Sequence, residues 1–523
     1  MAYKLTYSTM FDPPPEMHTR FDAALGEVRA GLGRKHSLHI AGKDVEAGSY
    51  KEKRSPIDRD WLLGSFAQAN AEHVDQAMRA ASDAFPRWRA TAPQERIRLL
   101  RRVAQLIEER VYLIAAAVAL EVGKNRMEAL GEVQETADFF NVYCDSFESQ
   151  GGFDHVLPND PLPNVVSRNR SVMKPYGVWV VINPFNFPFA LAGGPVAAAL
   201  VTGNTVVLKG SSETPWSGRL LADCLRDAGL PSGVFSYLMG PGAAIGDALV
   251  DHPSTSGVTF TGSYETGMGI LRKFANGRYP KPCIAEMGGK NACVVTANAD
   301  LEAAAAGIVR SAFGMGGQKC SALSRLYVEA SVADALVEKL RQRMQAIGVG
   351  DPTRKENWLG PVVSENAQRK YVGYVDRLRN GGAKLLSGGE VVSTGDHARG
   401  FFVTPTLAEA SLDHALWREE MFLPILMLHR VKDLDAGIRL ANDSDLGLTA
   451  GVYGSKDDVA EFLDRIEAGV TYSNRALGAT TGAWPGYQPF GGWKGSGNTG
   501  KAIASFYYLA QYLREQSQTV VES

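Results

Sequence analysis

Apolar residues recur every three or four positions through most of residues 71–147, and this spacing predicts amphipathic helices. A helix over 20–32 and a short strand over 38–40 are predicted before them. From residue 178 onward, short apolar runs of the strand type alternate with helical patterns. Strands that are buried on both faces and joined by helices indicate a doubly wound parallel sheet. The pattern therefore predicts an α/β fold.

This strand–helix alternation stops near residue 285 and then begins again. The runs VWVVINP, NTVVLKG, FSYLMG and GVTFTGS precede the break, whereas ACVVTA and RLYVEA follow it. The restart predicts two domains, one formed by residues 1–155 and 178–285 and the other by residues 286–485. Polar and apolar residues alternate after residue 165, and the C-terminal tail has the pattern of a helix followed by a strand. Residues 156–177 and 503–523 are therefore predicted to form a small β arm.

The bulk composition narrows the class of protein. The chain has 523 residues, more than one ordinary hydrophobic core contains, and its 55 basic residues balance 57 acidic ones. This balance gives no support for a nucleic-acid partner or for an anionic membrane surface. The N-terminus lacks the apolar core of a signal peptide, and the five cysteines show no CxxC spacing. We expect a cytoplasmic protein without disulfide bonds, a membrane span or a metal site.

Cys320 is the candidate nucleophile. It lies on the Gly-rich turn of GMGGQKCSALSRLYV, between a helical pattern and a strand pattern. A nucleophilic sulfur needs exposure and backbone N–H groups close to it, and glycines allow that close approach. A lone cysteine is more often a small buried apolar residue, and the other four cysteines lie in runs that fit this role.

Two polar residues that end apolar runs are candidates for acid–base work and oxyanion stabilisation. Glu286 ends the apolar part of IAEMGGKN, where desolvation would raise the pKa of the carboxyl towards that of a useful base. A lone glutamate there is also compatible with a helix cap or a solvated loop. Asn186 follows a buried strand in VINPFNFPF, and its amide can donate to a developing oxyanion or simply form a turn.

A fourth segment, FTGSYETG, carries Gly262, Ser263 and Gly267 after a strand. It predicts a helix N-terminus that suits a pyrophosphate. The segment is not the GxGxxG fingerprint of dinucleotide-binding folds, and alone such a segment is more often a plain helix cap than a cofactor loop.

Together these four segments resemble the aldehyde dehydrogenase family. Glu286 precedes Cys320 by 34 residues, as the base precedes the nucleophile in that family, and PFNFP resembles its P-W-N-F-P. The resemblance runs from about residue 38 to the C-terminus. It implies two doubly wound Rossmann-like α/β domains, the first binding NAD or NADP and the second catalytic, plus the small β arm for oligomerisation. It also implies oxidation of an aldehyde to an acid, with Cys320, Glu286 and Asn186 as catalytic residues.

The same resemblance implies the residues that bind the cofactor. VVLKGSSETP resembles the family's K-P-(A/S)-E-x-T-P, which places Lys209 at the adenosine ribose. EEMFLP resembles E-E-x-F-G-P, which places Glu420 at the nicotinamide ribose with Phe422 beside it. Ser212 stands where NAD-preferring members carry a glutamate, so NAD and NADP stay alternatives. The implied set is Ile182, Pro184, Phe185, Lys209, Ser212, Gly262, Ser263, Gly267, Gly288, Glu420 and Phe422.

Within the family, the chain most resembles the Δ1-pyrroline-5-carboxylate dehydrogenase group, which oxidises glutamate γ-semialdehyde. GGQKCSALSR is similar to that group's G-Q-K-C-S-A-x-S-R, and TGAWPGYQPFGGWKGSG to its T-G-A-x-x-G-x-Q-P-F-G-G-F-K-x-S-G. This implies that Ser321 and the backbone N–H groups of Gly482 and Ala483 hold the substrate carboxylate. Phe187 and Phe490 would sandwich the aliphatic chain.

Three alternatives stay open. The loop before Trp484 is longer than the group's pattern, so the substrate could be another aromatic, aliphatic or carboxylated aldehyde, with Trp484 either at the substrate mouth or at the surface. An acylating enzyme would pass the thioester to CoA, although a base at Glu286 favours water. A non-catalytic structural or binding relative is the third alternative, and the presence of both Cys320 and Glu286 argues against it.

The β arm bears on assembly. An alternating arm leaves strand edges that a second copy of the chain would cover. Together with the family resemblance, the arm predicts a homodimer or a higher homo-oligomer. The other expected partner is a small-molecule aldehyde, with no nucleic acid and no membrane.

Overall fold

The computed structural model describes residues 5–6, 9–10, 12–161, 163–476 and 484–522. The α-helices of this part are α1 (Pro15–Ala30), α2 (Ala71–Ala90), α3 (Pro93–Glu109), α4 (Val111–Val122), α5 (Arg126–Ser149), α6 (Ala190–Val201), α7 (Pro215–Asp227), α8 (Asp247–Asp251), α9 (Tyr264–Ala275), α10 (Leu301–Phe313), α11 (Ala330–Gln345), α12 (Glu365–Asn380), α13 (Leu434–Asn442) and α14 (Lys456–Arg465). The helical pattern of residues 71–147 is thus confirmed as four helices, α2 to α5.

The strands form five sheets within the described residues. They are β1 (Arg34–His36), β2 (Leu38–Ile40), β3 (Lys43–Val45), β4 (Tyr50–Arg54), β5 (Leu62–Ala67), β6 (Asp154–Leu157), β7 (Val166–Pro175), β8 (Val178–Ile182), β9 (Thr205–Lys209), β10 (Phe235–Leu238), β11 (Thr255–Thr261), β12 (Cys283–Glu286), β13 (Asn291–Val295), β14 (Leu323–Glu329), β15 (Lys384–Ser387), β16 (Thr406–Glu409), β17 (Ile425–Val431), β18 (Leu446–Gly447), β19 (Thr449–Tyr453), β20 (Val470–Ser473), β21 (Trp493–Lys494) and β22 (Leu513–Glu522).

The first large sheet has the strand order β12-β11-β8-β9-β10-β2-β3. Strands β8 to β12 run parallel, and the hairpin β2–β3 is added antiparallel at one edge. Every residue of β9 and β10 is buried, which is why these runs are continuously apolar rather than alternating. The four strands predicted from the apolar runs before residue 285 are confirmed.

The second large sheet has the order β15-β16-β17-β14-β13-β19-β20. All its strands are parallel except β15, which pairs antiparallel with β16 at the edge. The restart of the strand–helix alternation after residue 285 is therefore a real change of sheet. The two-domain α/β fold is confirmed in its architecture, while the exact boundaries of the domains stay a prediction.

The arm is the three-stranded sheet β22-β7-β6. Strands β7 and β22 pair antiparallel over ten residues, from Pro175–Leu513 to Val166–Glu522. The arm sheet begins at Asp154, two residues before its predicted start. The helix predicted in the tail is wrong, because only one 3-10 turn, Leu509–Tyr512, precedes β22. That turn buries Leu509 and Tyr512 in the core, and the chain then pairs with β7 at once.

The predicted start of the N-terminal helix is also wrong, since α1 begins at Pro15 rather than at residue 20. Proline is favoured at the first position of a helix, where its missing N–H costs nothing. Within the described residues, no helix combines the length and the apolar character needed to cross a bilayer.

The chain between residues 484 and 502 connects the two large sheets. Strand β21 pairs with β18 beside the second sheet, whereas Gly497 bridges Glu286 at the end of β12 in the first. The side chain of Asn498 adds two hydrogen bonds to the backbone of β12, to the N–H of Ala285 and the carbonyl of Cys283. This crossing brings the carboxyl end of β12 against the second domain.

Asn204 joins the arm to the first domain. Its side chain is completely buried, accepts a hydrogen bond from Gly177 N (2.9 Å) and donates to the carbonyl of Tyr512 (2.9 Å) and to Thr202 Oγ1 (3.0 Å). The side-chain amide of Asn204 therefore links the start of β8, the start of β9 and the segment before β22.

We predict that Asn204→Ala lowers the free energy of unfolding by about 3 kcal/mol, because it leaves buried backbone groups without partners. Urea denaturation followed by circular dichroism at fixed protein concentration measures the change. The matched control is Asn380→Ala, whose exposed side chain ends α12, and we expect a change within about 0.5 kcal/mol. Equal effects of the two substitutions would contradict the role of Asn204.

Candidate active site

The structure places two of the predicted catalytic residues in loops and the third at the end of a strand. Asn186 lies in the loop between β8 and α6, Glu286 is the last residue of β12, and Cys320 lies between α10 and β14. Because β8 and β12 are parallel strands of one sheet, their carboxyl ends share an edge. One cavity is lined by Cys320 together with three of the predicted substrate residues, Ser321, Phe187 and Phe490. The other two, Gly482 and Ala483, lie outside the described residues.

The Gly-rich turn before Cys320 is a tight left-handed structure. Met315, Gly316 and Gly317 all have positive φ angles, of 54°, 64° and 65°. A Cβ at Gly317 would collide with the carbonyl of Leu423, so only glycine fits there. The buried amide of Gln318 fixes the turn, since it donates to Met315 O (3.1 Å) and accepts from Val363 N (3.0 Å). Helix α10 is thereby stopped and the chain is directed into the cavity.

The segment after Glu286 packs directly beneath Cys320. The amide of Asn291 donates to the carbonyls of Cys320 (2.6 Å) and Ala322 (2.8 Å), and its oxygen accepts from Thr449 N (2.9 Å). A Cβ at Gly289 would collide with the carbonyl of Cys320. The two motifs that lie 34 residues apart in sequence thus form one unit. Sequence reasoning did not identify Asn291, although the residue ends the motif IAEMGGKN.

Glu286 is buried and has the environment of a base. Burial raises the pKa of its carboxyl to about 8, and the backbone N–H of Gly492 opposes the shift. Its Oε2 has no hydrogen-bond partner within the described part of the chain. The direction of the shift is the one that the sequence predicted. A carboxyl with this pKa can gain and lose a proton near neutral pH.

Cys320 is only partly exposed, and it lines the cavity. Burial, together with the charges of Glu420 and Glu286, raises the pKa of the thiol to about 12. The backbone N–H groups of Ser321 and Cys320 act in the opposite direction. At neutral pH the sulfur is therefore a thiol in this state, and its attack requires transfer of the proton to a base.

The predicted nicotinamide end of the cofactor site surrounds Glu420. Its Oε1 accepts from Gly289 N at 2.8 Å, and burial raises the pKa of the carboxyl to about 7. A Cβ at Gly288 would collide with the same carboxylate, so this glycine leaves room for Glu420. The ring of Phe422 meets that of Phe185 edge-on, with 5.8 Å between the ring centroids.

The predicted adenosine end lies at the ends of β9 and β11. Lys209 is buried, its Nζ donates to the carbonyl of Gly210 (3.1 Å), and burial lowers the pKa of the ammonium to about 8. Ser212 donates to the carbonyl of Gly240 at 3.0 Å. Ser263 caps α9, as its position after a strand indicated. Gly267 lets α9 pack against Met287, because a Cβ there would meet that side chain.

The remaining predicted cofactor residues, Ile182, Pro184 and Gly262, lie at or just after the carboxyl ends of strands in the first sheet. Ile182 ends β8, Pro184 lies in the loop after it, and Gly262 follows β11, where its N–H donates to the carbonyl of Glu286 (3.1 Å). All predicted cofactor residues that precede residue 288 therefore lie along one edge of the first sheet.

Trp484 lies inside the protein rather than at its surface. Its side chain is buried, it lines the cavity, and its indole nitrogen donates to Asp138 Oδ2 at 2.7 Å. The surface alternative for Trp484 is thus wrong, because α5 supplies a buried acceptor for the indole N–H. Sequence reasoning also missed Lys124, which lines the same cavity from the turn between α4 and α5.

We predict that iodoacetamide modifies Cys320 and leaves the other four cysteines unmodified, because those four are buried. The pKa of about 12 predicts that the rate rises about tenfold per pH unit between pH 7 and 9, as the thiolate fraction grows. Peptide mapping by mass spectrometry over time measures both which cysteine is modified and how fast. Cys320→Ser is the control and should show no labelling. A rate that does not change with pH would contradict the raised pKa.

Comparisons with known proteins agree with the motifs. The model of the aldehyde dehydrogenase family matches residues 45–517. The chain is 38% identical over 512 residues to a 1-pyrroline-5-carboxylate dehydrogenase of Geobacillus thermodenitrificans, with 96% of each chain covered. It is 37% identical over 508 residues to 1-pyrroline-5-carboxylate dehydrogenase 2 of Bacillus subtilis, again with 96% of each covered.

Solved structures agree in fold. A 1-pyrroline-5-carboxylate dehydrogenase from Thermus with bound NAD matches with a TM-score of 0.92 at 32% identity, and 99% of each chain is covered. The family resemblance inferred from the four segments is thereby confirmed, together with the fold that it implied. The chain belongs to the aldehyde dehydrogenase family.

Proposed function

We propose that this chain is an NAD(P)-dependent aldehyde dehydrogenase that oxidises L-glutamate γ-semialdehyde to L-glutamate through a thioester on Cys320. The observation that carries the proposal is the single cavity that joins Cys320 to Ser321, Phe187 and Phe490. The relatives named above, which are 1-pyrroline-5-carboxylate dehydrogenases, support the choice of substrate.

In the proposed mechanism, the thiol of Cys320 gives its proton to solvent water, and the resulting thiolate attacks the aldehyde carbon. The amide of Asn186 and the backbone N–H of Cys320 stabilise the oxyanion of the hemithioacetal. A nicotinamide cofactor, held by Lys209 and Glu420, would supply the hydride acceptor. Glu286 then activates water, which cleaves the thioester and releases the acid.

The residues present fit a dinucleotide cofactor. Lys209 donates to the carbonyl of Gly210 and Glu420 accepts from the N–H of Gly289, which leaves further donor and acceptor positions on both side chains for ribose hydroxyls. The helix α9, capped by Ser263, presents its N-terminal N–H groups at the same sheet edge, as pyrophosphate binding needs. Ser212 carries no charge that would repel a 2′-phosphate, so NADP is included in the proposal beside NAD.

The substrate's two ends have separate proposed contacts. Ser321 directly follows the nucleophile and, with the N–H groups of Gly482 and Ala483, is proposed to hold the carboxylate. Phe187 and Phe490 line the cavity and are proposed to hold the aliphatic chain between them. Trp484, which lines the same cavity, sets a bulky wall near this chain and favours a short aliphatic substrate over an aromatic one.

The test is the absorbance of the reduced nucleotide formed with glutamate γ-semialdehyde, propanal and benzaldehyde, each with NAD and with NADP. We expect the highest kcat/KM with glutamate γ-semialdehyde, and glutamate as the product. Addition of CoA should change neither rate nor product; a CoA thioester as product would identify an acylating enzyme. A chain that turns over none of the aldehydes would refute the enzymatic function.

A matched variant isolates the hydrolytic step. In Glu286→Gln we expect a burst of about one reduced nucleotide per Cys320, followed by a steady rate that is lower by about 10²–10⁴-fold. In the unmodified enzyme, the steady rate should rise with pH through about 8, since Glu286 acts as a base only when it is deprotonated. Cys320→Ser should show neither burst nor steady turnover.

We further propose that the arm joins copies of the chain in a homodimer or higher homo-oligomer. Val520 and Val521 are 60% and 61% exposed, and consecutive residues of a strand point to opposite faces, so both faces of β22 are uncovered in the single chain. Val156 on β6 is 84% exposed. Uncovered apolar residues on a sheet are typical of a surface that a partner covers.

We expect light scattering at micromolar concentration to give at least twice the mass of one chain. The variant Val520→Asp/Val521→Asp should shift the mass towards that of the single chain, because it places charges on both faces of β22. The control is Leu463→Asp on α14, an exposed apolar residue away from the arm, which should leave the mass unchanged. A single-chain mass for the unmodified protein would contradict the proposal.

A further inference from the structure

We propose that the buried ion pair between Lys124 and Glu132 positions Asn186 and Phe187, and that the reaction depends on this pair for both turnover and substrate fit. Neither charged residue is assigned a part in the mechanism above. The inference rests on the proposed function, since it concerns the loop that carries the oxyanion donor and one wall of the substrate cavity.

The pair is completely enclosed. The side chains of Lys124 and Glu132 both have no exposed surface, and Lys124 Nζ donates to Glu132 Oε2. Removing two charges from water is costly, so a pair of this kind stabilises the protein little by itself. Its other contacts are therefore the informative ones.

Glu132 holds the end of the loop that follows β8. Its Oε1 accepts hydrogen bonds from Phe189 N (2.8 Å) and Ala190 N (3.2 Å), where α6 begins. These are N–H groups that a helix leaves without internal partners, and a carboxylate is their preferred acceptor. The end of the loop is thus fixed to α5 by a charged group.

Lys124 holds the middle of the same loop. Its Nζ lies 3.8 Å from the centroid of the Phe187 ring, within the range of a cation–π contact. Both residues line the cavity that contains Cys320. At the start of the loop, Asn183 donates to the carbonyls of Pro184 and Pro188, both at 3.1 Å. The backbone that carries Asn186 is therefore held on both sides, and the pair provides three of the holding contacts, two hydrogen bonds and one cation–π contact.

The chain supplies a matched control one strand away. Glu121 of α4 is also fully buried, and it accepts hydrogen bonds from Trp216 N (2.7 Å) and Ser217 N (2.9 Å) at the start of α7. Helix α7 follows β9 just as α6 follows β8. Both carboxylates accept hydrogen bonds from N–H groups at the start of a helix, but only Glu132 does so at the helix that follows Asn186.

The experiment compares the full chain with Glu132→Gln, Lys124→Met/Glu132→Gln, Lys124→Arg and Glu121→Gln. The double variant removes both charges together, which avoids a buried unpaired charge and keeps the fold. Steady-state kinetics use glutamate γ-semialdehyde and acetaldehyde, because acetaldehyde has no chain for Phe187 to contact. Hydrogen–deuterium exchange of residues 183–190 reports the hold on the loop without any turnover.

We expect Glu132→Gln and the double variant to lower kcat about tenfold or more with both aldehydes, as displacement of an oxyanion donor does. KM should rise for glutamate γ-semialdehyde alone, and exchange of residues 183–190 should become faster. Lys124→Arg keeps the positive charge, and this variant should therefore retain most of the kcat of the unmodified enzyme. Glu121→Gln should leave kcat and the exchange of residues 183–190 unchanged.

The inference would be overturned if hydrogen–deuterium exchange of residues 183–190 were unchanged in both Glu132→Gln and the double variant. An unchanged kcat in these variants would also overturn the inference. The proposed function would stand in that case, because the unmodified enzyme is active. Equal losses in Glu121→Gln would also overturn it, since they would indicate a general loss of stability. An unmodified enzyme that oxidises no aldehyde counts against the proposed function alone, and the exchange data still decide whether the pair holds the loop.

Discussion

The site depends on a covalent constraint, the four residues 287–290 between β12 and β13. Strand β12 is the last strand of the first sheet, and β13 is a central strand of the second. Glu286 ends one strand and Asn291, which is bonded to the carbonyl of Cys320, begins the other. A link this short leaves Glu286 and the residue that supports Cys320 little freedom to separate. Its two glycines are needed because Glu420 and the backbone of Cys320 press against them.

Burial that outweighs the effect of nearby counter-charges is the second property of this site. Burial raises the pKa values of Glu286, Glu420 and Cys320, and lowers those of Lys209 and Lys290. Each group is thus shifted towards its neutral form by the same cause. Groups with pKa values between about 7 and 8 exchange protons readily at neutral pH, which suits a reaction that moves a proton twice.

Much of this arrangement could be predicted from the amino-acid sequence, and what could not be predicted has a common cause. The strands, the Gly-rich turn and the two polar strand ends depend on local pattern, so Cys320, Glu286 and Asn186 can be proposed as candidates from the sequence alone. Asn291 and Glu132 act on residues that lie far from them in the chain, and local patterns carry no signal of that proximity. The predicted tail helix is wrong because the segment before β22 has helical spacing, yet pairing with β7 begins directly after one turn. Resemblance to the family motifs supplied the cofactor residues, which pattern alone left undecided.

The raised pKa of Cys320 also bears on how long the resting protein survives in an oxidising environment. Peroxides attack the thiolate much faster than the thiol, so a sulfur kept protonated is a poor target for sulfenic acid formation. The other four cysteines are buried and therefore shielded from the same damage. The protein thus keeps its one partly exposed thiol in its least oxidisable form until a base removes the proton, and loss of activity on storage in air should be slow.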